Sequence, residues 1–394
     1  SAYRDAQSAL KGDTTGTLET SAKSDLVKLQ NGDPELLRDW HKLIDCTMRS
    51  VNEVLDLLSV HLGPENNHGE SFYRDRLPAV IDAFKSSGAA ELDNGALIVR
   101  FPDRDRPMLI QKSDGGYLYA TTDLAALRYR VFEIGASLVI YVVDARQRDH
   151  FKDLFDAARK INWHLTPDGT PAKLVHVPFG SVLGPDRKPL KTRSGENITL
   201  KALLTEAVQR GTDEVTRRAA NPDAPTHTLP PDQLAEIGKA VGIGAVKYAD
   251  LSSDLANDYI FSFDRMIAFE GNTGPYLQYA HARICSIFAK AEIALATITS
   301  APFLINQPAE RTLALALLRY GSVVEDVGRT LEPHRLCTYL YELANAYSSF
   351  YQTCPVLKAE DDATRLSRLK LCDLVRRVLA DGLSLLGISA PSRM

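Results

Sequence analysis

The chain has 394 residues, a formal charge of −4, and 44% hydrophobic and 24% charged residues. That composition excludes a disordered or strongly polyionic chain, and the length allows two or three domains with sizeable cores. No apolar run approaches the roughly 18 residues of a membrane-spanning helix, and Ser1 to Asp25 lacks the apolar stretch of a signal peptide.

Residues 1–62 read as helical. Leu36, Leu37, Trp40, Leu43, Ile44, Met48, Val51, Val54 and Leu55 recur at helical spacing, and Asp33-Pro34 supplies a cap with proline at the first helical position. Gly63 to Gly69 reads as a loop, and a short helix is expected from Leu77 to Ser86. Gly95 to Phe101 and Met108 to Gln111 look like strands. Ser113-Asp-Gly-Gly116 reads as a hairpin turn, because Asp-Gly suits its left-handed positions. Tyr117 to Tyr119 is expected to run as a strand into a helix opening near Thr121. Leu138 to Val143 is a continuous apolar run, as in a strand buried on both faces of a parallel sheet. A helix from His150 to Ile161 and a strand from Leu174 to Phe179 would complete one right-handed crossover unit. Asn221 to Pro231 is loop, and from Gln233 the pattern is helical almost to the end. In the last helix Leu371, Leu374, Val375 and Val378 share a face, with Arg368, Arg376 and Arg377 expected elsewhere. The fold class is therefore α/β followed by an all-helical half, with the change near Asp264.

Five cysteines, scattered and without a C-x-x-C pair, give no disulfide framework or zinc site and suit a reducing cytoplasm. The histidines show no metal-ligand spacing, so no metal site is expected, and neither a P-loop nor a dinucleotide-binding fingerprint is present. The acidic balance does not exclude nucleic acid as a partner, since the local patch sets attraction to phosphates.

Four constellations carry chemistry. Tyr119 and Asp123 sit four residues apart at a strand-to-helix junction. Asp123 suits a guanidinium or ammonium there, or else complements the helix N-terminus. Asp144-Ala-Arg-Gln147 follows a buried strand, where open α/β sheets bind ligands, though it also reads as a polar loop. Phe179-Gly180 and the basic segment with Lys191 and Arg193 suit a triphosphate, or form a solvated basic turn. Tyr276, Tyr279, His281 and Arg283 suit stacking on unpaired bases. Tyr339, Tyr341, Tyr347, Phe350 and Tyr351 read mostly as packing residues.

Taken in order, Gly69-Glu-Ser-Phe-Tyr73, Asp114 to Asp123, Tyr141-Val-Val-Asp-Ala-Arg-Gln147, Phe179-Gly180, Lys191-Thr-Arg-Ser-Gly195, Gly242 to Leu251 and Phe269 to Arg283 resemble the landmarks of arginyl-tRNA synthetases over nearly the whole chain. The resemblance implies a partial Rossmann-like class I catalytic domain over 1–264, with an inserted α+β segment at about 63–118 and a KMSKS-like loop at about 188–196. An α-helical anticodon-binding bundle over 265–394 would follow.

It also implies a ligase that activates L-arginine with ATP and Mg²⁺ and esterifies tRNA(Arg), as a cytoplasmic monomer with no membrane partner. By that resemblance Glu70, Tyr119, Asp123 and Gln147 hold arginine. Phe179, Gly180, Lys191, Thr192 and Arg193 meet ATP, with Lys191 and Arg193 catalytic because the second KMSKS lysine is absent. Tyr276, Tyr279, His281 and Arg283 contact tRNA, and Arg283, Lys290, Arg335, Arg368, Arg376 and Arg377 form its positive surface. No His-x-Gly-His pattern occurs and the chain opens without Met. The expectation is thus a truncated piece lacking the N-terminal domain and HIGH-type motif, inactive alone, in which residues 1–62 pack loosely. The alternative is a non-catalytic tRNA-binding module.

Overall fold

The computed structural model describes residues 2–30, 32–184, 186–188, 198–291 and 293–394. They fall into two compact units, Ser1–His61 and Leu62–Met394. The first holds helices α1 (Ala2–Gly12), α2 (Thr17–Gln30) and α3 (Pro34–Leu57). α3 begins as its sequence dictates. Asp33 accepts from the amides of Glu35 and Leu36, and Pro34 stands where a missing N–H costs nothing. Its apolar stripe is only partly covered: Leu36, Leu37, Trp40 and Met48 are half-buried, no residue of α3 is fully buried, and Leu43 is 66% exposed. Such a stripe needs a second apolar layer, which the described side chains of this unit supply only in part.

The second unit opens with 3₁₀ turns at Pro64–Asn66 and Glu70–Arg76, then α4 (Leu77–Ser86) at the expected residues. Strands β1 (Glu91–Asp93), β2 (Ala96–Phe101) and β3 (Arg104–Gln111) form an antiparallel sheet in that order. The turn after β3 is closed by Asp114, which accepts from the Gly116 amide. No strand forms at Tyr117–Tyr119. Tyr117 makes one bridge to Gln111, and α5 (Tyr119–Arg128) starts two residues before Thr121. The reason is local: the Leu118 amide donates to Thr121 Oγ1, whose hydroxyl donates to the Ile110 carbonyl.

Strand β4 (Leu138–Asp144) leads through a 3₁₀ turn at Ala145–Gln147 into α6 (Arg148–Lys160) and then β5 (Lys173–Phe179). β4 and β5 pair in parallel from Leu138↔Lys173 to Asp144↔Phe179. The expected crossover is present, but β4 is not buried on both faces. Val139 and Tyr141 join the core with α5 and α6, while Leu138, Ile140 and Val142 remain exposed. Apolar continuity in the sequence did not distinguish one covered face from two.

Next come β6 (Val182–Leu183), α7 (Leu200–Ala219), α8 (Pro231–Leu251) and β7 (Tyr259–Ile260), with β6 and β7 paired in parallel. α7 and α8 touch backbone to backbone: a Cβ at Gly242 would lie 2.2 Å from the Ala207 carbonyl oxygen, and one at Gly238 would lie 2.4 Å from Thr212 Cα. The rest is helical: α9 (Phe263–Met266), α10 (Gly274–Ala291), α11 (Leu295–Ser300), α12 (Pro308–Leu318), α13 (Tyr320–Thr330), α14 (His334–Thr353) and α15 (Asp362–Leu385). Their core gathers Leu277, Ile284, Leu340, Leu343, Phe350, Val375 and Leu379. Cys337, Cys354 and Cys372 are buried there, Cys285 is half-buried and Cys46 is exposed. Among the described residues no helix is long and apolar enough to cross a membrane.

After α15 the chain turns back as a strap without regular secondary structure. Lys247 Nζ donates to the Gly387 carbonyl at 2.6 Å, Gln278 Nε2 to that of Ser389 at 2.7 Å, and the His281 ring to that of Pro391 at 3.0 Å. Ile388 and Met394 are buried against the helices.

Candidate active site and RNA-facing surface

The carboxyl end of the β4–β5 pair brings together residues that the sequence keeps apart. Asp123, in the second turn of α5, does not cap its helix. Its Oδ2 lies 2.6 Å from Nε2 of His150, in the first turn of α6. A carboxylate only accepts, so Nε2 carries the proton. The Tyr119 ring meets the His150 ring nearly edge-on, with centroids 4.9 Å apart. Tyr119 is exposed, while the Asp123 and His150 side chains are 36% and 17% exposed.

Sequence reasoning missed His150. It looked for metal-ligand spacing among histidines and not for one standing three residues after Gln147, where α6 leaves the strand end.

Gln147 is exposed and directly precedes α6. Asp144, by contrast, is occupied locally. Arg146 donates to it from its guanidinium and from its amide, and these bonds hold the Asp144 carboxyl down at about 2. The Asp144–Gln147 segment thus divides into a self-paired turn and an amide that, among the described residues, has no hydrogen-bond partner. Glu70 is exposed at the head of its 3₁₀ turn, which packs through Phe72 and Tyr73 on Tyr129, beyond the far end of α5. Among the described bonds none joins Glu70 to Asp123, Tyr119 or Gln147.

Phe179 is half-exposed opposite Asp144 in the parallel register. Gly180 follows where the chain meets the segment after α8. Its amide donates to the Leu255 carbonyl at 2.7 Å, and a Cβ there would lie 2.6 Å from the Asn257 carbonyl carbon. Only glycine fits so close an approach. The Ser181 amide donates to Asp258 Oδ1 beside it. Lys191, Thr192 and Arg193 lie outside the described residues.

On α10 the residues named for RNA separate by face. Tyr276 and Arg283, seven residues apart, meet α14. The Tyr276 hydroxyl donates to Asn345 Oδ1 at 3.0 Å, and the Arg283 guanidinium lies 4.6 Å from the Tyr351 ring centre. Tyr276 and Tyr351 are half-buried and Arg283 is exposed, so aromatic rings and a cation share one surface strip. Tyr279 instead faces Phe269 and Arg218. His281 is only 5% exposed and holds the strap, so it presents no ring to solvent; burial pushes its pKa down. Tyr339, Tyr347 and Phe350 are core residues, as read from their spacing.

The expected positive surface needs one clear correction. Arg368 is interior, bonded to Glu310 at 2.7 Å and to the Pro355 carbonyl at 2.9 Å. Arg335 pairs with Glu332, and Arg376 with Asp373, while Lys290 and Arg377 are exposed.

This architecture is that of a class I synthetase. The family model described as tRNA synthetases class I (R), catalytic domain, matches residues 1–263, and that of the DALR anticodon binding domain matches residues 277–394. The chain is 46% identical over 379 residues to an arginine–tRNA ligase of Frankia casuarinae, covering 95% of this chain and 62% of that one. It is 44% identical over 389 residues to an arginine–tRNA ligase of Cellvibrio japonicus, covering 97% and 65%. Among solved structures it resembles the arginyl-tRNA synthetase of Plasmodium falciparum, with a TM-score of 0.81 and 30% identity, covering 97% of this chain and 64% of that one. The Thermus thermophilus arginyl-tRNA synthetase, at 24% identity and a TM-score of 0.73 over 93% and 68% of the two chains, shares the fold. The chain belongs to the arginyl-tRNA synthetase family. It spans 62% and 65% of the two curated relatives' lengths.

Proposed function

We propose that this chain supplies the arginine-recognising and anticodon-binding parts of a cytoplasmic, monomeric arginine–tRNA ligase. That enzyme joins L-arginine to ATP, taken with Mg²⁺, as arginyl-adenylate with release of pyrophosphate. It then esterifies the 3′-terminal adenosine of tRNA(Arg). The observation that carries this reading is the Asp123 carboxylate beside Tyr119 at the carboxyl end of the parallel strands. A guanidinium has five N–H donors in a planar fork and needs acceptors in matching directions. Asp123 Oδ1 and the Gln147 amide oxygen supply them, and the Glu70 carboxylate, standing apart from these two, adds negative charge that attracts the substrate cation.

An amino acid without the guanidinium leaves those acceptors unpaired, a penalty that reaches roughly 10⁴-fold in sites of this kind. Phe179 and Gly180 meet the nucleotide. Lys191, Thr192 and Arg193 meet the phosphates, where Lys191 and Arg193 stabilise the charge that builds during nucleotidyl transfer. Tyr276, Tyr279 and Arg283 take unpaired tRNA bases. His281 contributes from behind by fixing the strap.

The test is calorimetric titration of arginine into this chain. Asp123→Asn is expected to weaken binding by about 1.5–3 kcal/mol, roughly 10- to 150-fold, because a charged acceptor becomes half a donor. Arginine binding unchanged by Asp123→Asn removes Asp123 from the site.

A further inference from the structure

Asp123 is bound on one side only. Among the described residues its Oδ2 accepts from His150, while Oδ1 has no hydrogen-bond partner. We propose that His150 is a positioning residue of the arginine site: its Nε2–H fixes Oδ2 of Asp123 and its ring steadies Tyr119, so that Oδ1 is held ready for the guanidinium. This rests on the arginine reading given above.

Three observations converge on His150. The hydrogen bond is short, at 2.6 Å, and joins α5 to α6 across 27 residues of chain. The ring is itself fixed, edge-on to Tyr119 at 4.9 Å and to Phe151 at 5.2 Å, and Phe151 is a core residue. Exposure also falls from Tyr119 at 65% through the Asp123 side chain at 36% to that of His150 at 17%. His150 therefore lies behind the two residues that face the ligand and does not itself offer a donor to it.

The chemistry explains why histidine stands there. An Asp on a helix surface samples several χ2 angles. A donor fixed to one oxygen selects one of them, and binding then orders less on ligand arrival. A Lys or Arg at position 150 would also fix the carboxylate, but its full charge would compete with the substrate guanidinium. The His150 Nε2–H fixes that oxygen from a side chain only 17% exposed, set behind Asp123 and out of reach of the substrate.

The experiment is arginine titration of the full chain carrying His150→Ala, His150→Gln, Asp123→Asn, and His150→Ala with Asp123→Asn. In parallel, ring ¹⁵N NMR reads the His150 tautomer in wild type and in Asp123→Asn. His150→Ala is expected to weaken arginine about tenfold. His150→Gln, which retains an N–H donor, is expected to recover most of that. The double variant is expected to bind no worse than Asp123→Asn alone, because His150 acts only through Asp123. The Nε2–H tautomer is expected in wild type and altered in Asp123→Asn.

Arginine affinity unchanged in a folded His150→Ala, or losses that add in the double variant, overturns the proposal. Loss in His150→Gln equal to that in His150→Ala does so as well. Absence of arginine binding by the wild-type chain, with the NMR bond intact, overturns the arginine reading itself and takes the positioning role with it.

Discussion

Replacing Arg368 by Met is expected to lower the unfolding free energy of the Leu62–Met394 unit by about 3–5 kcal/mol, read as the shift of a urea transition. The Arg368 and Glu310 side chains are only 9% and 1% exposed. Glu310 accepts from Arg368 through Oε1 and from the Asn306 and Gln307 amides through Oε2, and so closes the start of α12. Arg368→Met leaves that carboxylate buried without its cation. A buried pair is not strongly stabilising as a whole, but removing one partner is costly.

Burial raises the Glu310 pKa, yet the Arg368 bond and the two amides outweigh it and hold it below the ordinary glutamate range. A lowered folded-state pKa contributes stability above the ordinary value and loses it as pH falls through the lowered one. Wild type and variant should therefore differ most near neutral pH and converge in acid. Superimposable curves at pH 7 would show that the pair contributes nothing.

Gly242→Ala should cost about 3 kcal/mol, even after the roughly 1 kcal/mol that alanine gains over glycine inside a helix. The new methyl would meet the Ala207 carbonyl oxygen at 2.2 Å and carbon at 2.6 Å, and backbone cannot swing aside as a side chain can. Gly211 lies on the facing surface of α7, where a Cβ would reach the Gly238 oxygen at 2.4 Å, so relaxing one contact worsens another. Gly328→Ala is the control. It sits in α13 with nothing within 4 Å of an added Cβ, and should stabilise slightly. Equal melting temperatures for Gly242→Ala and wild type would refute backbone-to-backbone packing of α7 and α8.

The same glycines show what the sequence could and could not say. Gly242 stood in a stretch noticed for its resemblance, yet the physical cue was Gly238 four residues before it, which puts two missing side chains on one face of α8. That cue concerns a partner helix 30 residues upstream, and no local pattern reveals it. Asp33-Pro34 and the Leu77–Ser86 helix were legible because their signals are local.

Arg368 was misplaced for a different reason. It shares a face with Leu371, Val375 and Leu379 at helical spacing, but its charge led the sequence reading to set it off the apolar face; the buried Glu310 that overrides the charge lies 58 residues away. In the candidate site Gln147 was picked out by its place after β4, and Tyr119 and Asp123 by a strand-to-helix junction of which only the helix forms. His150 could not be picked out so, because its partner is fixed by a crossover and not by spacing along the chain.

The strap from Gly387 to Met394 is gripped by its carbonyl groups at Gly387, Ser389 and Pro391 and, among the described residues, not by its polar side chains. Every residue type has a carbonyl, so Ser389 can change identity at little cost. Count is another matter. Deleting a single residue between Gly387 and Pro391 would turn the carbonyls behind it to the opposite side and pull Met394 out of its seat by about 3.3 Å. Tolerance to substitution together with intolerance to a change of length, measured as melting temperature across a small library, is the signature expected of this segment: it behaves as a ruler and not as a text.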